Sequence, residues 1–386
     1  MNKWIEIDLS AIEHNYKLIR NTVRSGVKIL GVVKADGYGH GLVEVAKELE
    51  LQGIDYLGVT EIDEGLQLRQ QGIKKPILVF GPPLIEDLTV AQDHDLTITL
   101  GDLTTLKYLK ENNLELKVHL KLETGLGRTG FKLGDLEEVC NLINNSQIQI
   151  EGVYTHLATA KWANPSFVKE QFAQFSKATE FLKQRGMTIG LCHICNSEAL
   201  VKYPEMHLDM VRAGNILYGH GGGKLAQELQ NPWTLKAKIT YITHLPKGHS
   251  VGYERSYFLP RDAKIAILPI GIFHGYSIEP IVRSNSISDL IRAVGKLILR
   301  YFNHPLTRTY VTINGSQVPV IGKVGMQQTI LDVTQLNEVN VGDVVELTGR
   351  RINISPLLPQ LYFKEGQIIK IRRLKEEIEG VKLAAK

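Results

Sequence analysis

The first part of the chain alternates two textures. Short runs rich in apolar and β-branched residues occur at 28–33 (Lys-Ile-Leu-Gly-Val-Val), 55–59, 76–80, 96–100, 115–122, 148–155, 188–194 and 208–218. Both faces of such runs are apolar, as in strands buried within a parallel sheet. Between most of them lie stretches with helical spacing. In 41–51 the apolar residues Leu42, Val45, Ala46 and Leu49 share a face, and 61–71, 84–92, 102–111, 135–145 and 166–185 behave alike. Repeated β-α units predict a parallel sheet. About eight of them favour a closed (β/α)₈ barrel over an open doubly wound sheet.

From about residue 230 the pattern becomes alternating, in 236–243, 317–322 and 366–371. Asn314-Gly315 stands between two such runs and signals a hairpin. This half predicts an antiparallel β domain, interrupted by one helical stretch at 289–299. The change of texture falls near the loop His220-Gly221-Gly222-Gly223-Lys224. The division predicted is a barrel over 10–228 and a β domain over 229–386, with an N-terminal strand, 1–9, joining the latter.

Composition narrows the class. The chain has 386 residues with 43% hydrophobic and 22% charged positions, ordinary for a globular protein of two domains. No run approaches the ~18 apolar residues of a membrane helix. The start carries a charge every second or third residue, which gives no secretory core. Three cysteines make no disulfide framework, in keeping with a cytoplasmic setting. A net charge of +4 without a basic run does not favour nucleic acid.

The most informative segment is Val33-Lys34-Ala35-Asp36-Gly37-Tyr38-Gly39-His40-Gly41. A lysine closes an apolar strand, and a glycine-rich loop follows. Barrel active sites lie at strand C-termini. A lysine there is desolvated, its pKa falls, and its amine can attack a carbonyl.

This segment resembles the pyridoxal phosphate (PLP) lysine motif of the alanine racemase family. The resemblance extends through Trp4–Asn15, Gly125-Leu126-Gly127-Arg128-Thr129-Gly130-Phe131, Thr155-His156-Leu157-Ala158 and His193-Ile194-Cys195-Asn196-Ser197. It continues through Val211–Gly219, Ser250-Val251-Gly252-Tyr253 and Gly322-Lys323-Val324-Gly325-Met326. It implies a PLP barrel followed by a β domain, in a cytoplasmic homodimer with shared active sites. The implied reaction interconverts L- and D-alanine and supplies D-amino acid for the cell wall.

By the same resemblance, Lys34 would bind PLP and act as one acid/base group at Cα. Tyr253, from the partner subunit, would be the second, on the opposite face. Racemisation needs two such groups. A neutral phenol is a poor base, and His156 would assist it by hydrogen bonding. Arg212 would donate to the pyridine nitrogen; a permanently charged guanidinium suits a racemase, a carboxylate a transaminase. Tyr38, Ser197, Gly214 and Asn215 would hold the phosphate. Arg128, assisted by the Met326 amide, would pair with the substrate carboxylate. Lys121 matches a position that is often carbamylated.

The departures cluster at the entrance. The tyrosine found near residue 356 in the family is missing from Asn353-Ile354-Ser355-Pro356-Leu357, and Lys161 stands where an acidic residue is usual. Gln327 replaces an aspartate, and Ile278 stands near an absent arginine. About 20 or more extra residues separate Tyr276 from Tyr310. A rebuilt entrance leaves a racemase of serine, lysine, ornithine or several amino acids as the alternative. Cys192-His193-Ile194-Cys195 reads as a buried strand rather than a metal or redox site, since no second cluster completes it. The 289–299 helix is expected to pack on the β domain or on the other subunit.

Overall fold

The computed structural model describes residues 1–144, 146–162, 164–278, 287–302 and 304–373. The chain forms two compact units. One is Leu9–Pro232; the other joins Met1–Asp8 to Trp233–Lys386. The division thus falls about four residues beyond 228. The glycine loop at 220–223 lies inside the first unit, where Gly223–Gln227 forms a 3₁₀ turn.

The first unit is an eight-stranded parallel sheet with helices between strands. Its strands are β1 (Lys28–Val32), β2 (Tyr56–Val59), β3 (Ile77–Val79), β4 (Thr97–Leu100), β5 (Lys117–Lys121), β6 (Gln149–Tyr154), β7 (Leu191–His193) and β8 (Met210–Ala213). Neighbours pair in order from β1 to β7, and β8 pairs with β1. The seam between β7 and β8 closes outside the ladder. There Asp209 and Arg212 donate backbone N–H to the carbonyls of Cys192 and Cys195, at 3.1 Å each. The result is a nearly closed (β/α)₈ barrel. Every residue of β2, β3, β4 and β8 is buried, which is why these strands read as largely apolar runs, interrupted by Thr97, Thr99 and Arg212.

Two expectations are corrected. The run 208–218 is strand only over Met210–Ala213. Gly214 leaves the ladder (φ −114°, ψ −102°), and Asn215–Tyr218 is a 3₁₀ turn whose buried apolar side chains, Ile216, Leu217 and Tyr218, imitate a longer strand. Cys195 lies beyond the end of β7, and Cys192 and Cys195 are free thiols. Burial pushes them up to about 11 and about 12, so neither is a thiolate at neutral pH.

The second unit holds a ten-stranded sheet. The alternating run at 236–243 is two strands, Trp233–Lys238 and Tyr241–Leu245. Strand Lys3–Asp8 pairs antiparallel with Trp233–Lys238 and parallel with Gln360–Lys364. Asn314 (φ 48°) and Gly315 (φ 78°) form the two-residue hairpin turn between Tyr310–Ile313 and Ser316–Ile321. The inserted stretch forms a helix, Ile287–Tyr301; residues 279–286 and 303 of it lie outside the described residues.

Candidate active site

The end of β1 sets the site. Lys34 follows Val33, and the next four residues form a left-handed turn: Ala35 (φ 53°), Asp36 (φ 53°), Gly37 (φ 60°) and Tyr38 (φ 55°). Left-handed backbone costs about 1–2 kcal/mol for each residue other than glycine, so neighbours must enforce it. Ala35 donates its N–H to Glu64 Oε1 (2.6 Å), and Leu42 donates to Asp36 Oδ1 (3.0 Å). The Tyr38 ring lies 4.9 Å from that of Tyr218, whose hydroxyl donates to the Val32 carbonyl (3.0 Å). The turn aims Lys34 and Tyr38 into one cavity of about 380 Å³. Burial lowers the Lys34 amine below the ordinary lysine value, the positive charge of Arg128 lowers it further, and Glu64 opposes.

Arg128, His156, Ser197, Arg212, Gly214 and Asn215 line the same cavity. Arg212, from β8, is 4% exposed, and the acceptors that it meets among the described residues are neutral. Its Nη2 donates to the carbonyls of Thr155 (2.9 Å) and Ile194 (3.1 Å) and to His156 Nδ1 (3.3 Å). Its Nη1 donates to His193 Nδ1 (2.9 Å). These bonds fix the tautomers, because a guanidinium only donates. His193 must carry its proton on Nε2 and donate it to His119 Nδ1, 2.8 Å away. His156 likewise keeps a proton on Nε2. Burial, then the charge of Arg212, holds His119 and His156 down to about 3 and His193 well below its ordinary value. Burial also lowers Arg212 itself, to about 10, and it remains charged. Tyr154 completes the floor. It stacks on His193 with ring centres 4.8 Å apart and lies 5.3 Å from the guanidinium.

At the rim, Gly214 donates its N–H to Ser197 Oγ (3.0 Å). A Cβ at Gly214 would stand 3.0 Å from the Tyr38 hydroxyl and 3.7 Å from Ser197 Oγ. Only a residue without a side chain leaves this polar corner open. Arg128 sits on a loop folded around Glu123, whose carboxylate accepts the N–H groups of Gly125 (2.5 Å), Gly127 (3.0 Å) and Arg128 (3.2 Å). Lys121, ending β5, is buried beneath it and donates to Thr129 Oγ1 (2.5 Å). Burial, followed by the Arg128 charge, brings its amine down to about 8.

The arrangement is a buried cation flanked by neutral imidazoles, with the Lys34 amine lining the same cavity. The alanine racemase N-terminal domain matches residues 7–221, and the alanine racemase C-terminal domain matches 233–361. The chain belongs to the alanine racemase family. Alanine racemase 2 of Caldanaerobacter subterraneus subsp. tengcongensis is 34% identical, over 95% of this chain and 96% of that protein. The alanine racemase of Clostridium difficile 630 superposes with a TM-score of 0.85 at 29% identity, covering 97% and 98% of the two chains. That of Bacillus anthracis, solved with bound L-Ala-P, gives 0.82 at 26% identity over 96% and 97%.

Eight of the residues singled out by the alanine racemase motifs line one cavity, and the Lys121 amine lies 6.0 Å from the ring of Tyr154, which lines it too. Tyr253 and Met326 belong to the other unit, and each is 69% exposed. Lys161, noted as a departure from the family, lines the cavity too. Sequence reasoning missed Glu64, Tyr154 and His119. Gly152 was the available signal for His119. A Cβ there would lie 2.7 Å from the His119 ring, so the glycine opens the path from β5 past β6 to His193 on β7.

Proposed function

We propose that this protein is a homodimeric racemase that interconverts L- and D-alanine with pyridoxal phosphate, using Lys34 and the partner subunit's Tyr253 as its two proton-handling groups. The observation that carries the reading is Arg212. A permanently charged, buried guanidinium faces the cavity where other PLP chemistries need a carboxylate. The residues present suit the cofactor. Lys34 is a desolvated amine at the cavity wall, and Tyr38, Ser197, Gly214 and Asn215 form a polar corner kept open by the missing Cβ. When bound, the cofactor's conjugated ring withdraws electron density from the substrate Cα and so acidifies its C–H.

The chain's own groups do the rest. Lys34, with a lowered pKa, is neutral in a larger fraction of molecules at neutral pH and can accept the Cα proton on one face. His156 stays neutral in every working pH and keeps an Nε2–H to donate. Such a donor stabilises a deprotonated phenol and so makes Tyr253 a competent base on the other face. Arg128 pairs with the substrate carboxylate, with the Met326 amide assisting. Lys121, at about 8 and beside Arg128, is poised to add to CO₂. Its nitrogen would bond the carbon and release a proton, leaving an anion that offsets the arginine charge. The exposure of Tyr253 and Met326 within one copy supports the dimer, since both would be covered by a second.

Tyr253→Phe tests the scheme. Solvent exchange at Cα should be lost from one alanine enantiomer by at least 100-fold more than from the other. Equal loss from both would sink the two-base assignment.

A further inference from the structure

The helix Ile287–Tyr301 was expected to pack on the β domain or on another subunit. None of its residues is buried. Ile287, Leu290, Ile291, Val294, Ile298 and Tyr301 fall at i, i+3, i+4, i+7, i+11 and i+14, and this forms one apolar stripe along about 22 Å of helix. All six are exposed, from 46% at Val294 to 81% at Tyr301. A stripe of this size exceeds the scattered apolar positions that a surface normally carries.

Its occupant can be argued. Arg292, Lys296 and Arg300 recur every four residues on the face opposite the stripe. This keeps the stripe itself free of charge, as the core of a protein–protein contact is. The C-terminal end of the helix also joins the Tyr253 region. Arg300 shares a cavity of about 630 Å³ with Ser256 and Tyr257, which follow Tyr253, and with Gly322, Lys323 and Val324, which precede Met326. These loops must face the second copy if Tyr253 is lent across the dimer.

We propose that the helix Ile287–Tyr301 docks its apolar stripe on the second copy of this chain and widens the interface that carries Tyr253. The proposal rests on the dimer reading above. It also gives the inserted stretch a place in the assembly.

The test uses the full-length holoenzyme and the double variant I291N/I298N, whose sites are exposed and should not disturb folding. Sedimentation over a dilution series should give a dimer for the wild type. The variant's dimer should dissociate at a concentration at least 30-fold higher. Its racemase activity should fall on dilution and recover at high protein concentration. A wild-type monomer would overturn both this proposal and the dimer reading. A wild-type dimer whose dissociation constant the variant leaves unchanged would overturn the helix proposal alone. Binding of the wild type, and not the variant, to phosphatidylserine vesicles with unchanged dimerisation would reassign the helix to a membrane.

Discussion

The buried imidazoles beneath Arg212 make folding stability depend on pH in a way that can be calculated. His119 and His193 are fully buried and stay neutral, held down by burial and by the guanidinium. In the unfolded chain each titrates near 6.5. A folded-state pKa below the unfolded one gives stability that is full above pH 6.5 and drains away as pH falls toward the folded value. For His119 that window runs from about 6.5 down to about 3. Between pH 7 and pH 5 the unfolded state gains about 0.7 proton at the His119 imidazole, and this costs about 2 kcal/mol. His193 adds a loss in the same direction, against a typical total of about 5–15 kcal/mol. His119→Gln isolates one of them, because the amide oxygen can still accept from His193 Nε2. Urea unfolding at pH 7, 6 and 5 should show a shallower loss for the variant, by about 2 kcal/mol over the range. Parallel pH dependences for wild type and variant would refute the neutral, donor-fixed imidazole chain.

Gly214→Ala places a methyl 3.0 Å from the Tyr38 hydroxyl, so Tyr38 must retreat. Equilibrium dialysis should show PLP affinity weakened ~10-fold or more, a change of about 1.4 kcal/mol, with the rate at saturating cofactor largely restored. Unchanged affinity would remove this corner from the phosphate site. For Lys121, ¹³C NMR under ¹³C-bicarbonate should reveal a carbamate signal that is absent from Lys121→Gln. Because neutral amine reacts, the signal should grow as pH rises through about 8. No signal at pH 8.5 would argue that the lysine stays a free amine.

The barrel was legible because its strands are buried on both faces and therefore read as continuous apolar runs. The same logic overran at 208–218, where Ile216, Leu217 and Tyr218 are buried in a turn rather than a strand. Lys34 was found from its context, but its presentation was not. Only one of the four residues in the left-handed turn is glycine, and the conformation depends on Glu64, which lies 29 positions away. His119 looks like any strand histidine until Gly152 and His193 are placed beside it. The inserted helix was visible in its 3.6-residue periodicity, whereas the exposure of its stripe required the fold. Of the departures from the family pattern, Lys161 lines the same cavity as Arg212.

The central claim is racemisation of alanine through proton exchange at Cα. It is tested most directly by incubating the PLP-loaded protein with L-alanine in deuterium oxide and resolving the enantiomers by chiral chromatography and mass spectrometry. The account predicts D-alanine that carries deuterium at Cα, formed faster than the D-isomers of serine, lysine or ornithine from their L-forms. Failure to form D-alanine, or D-alanine that retains protium throughout, would contradict it.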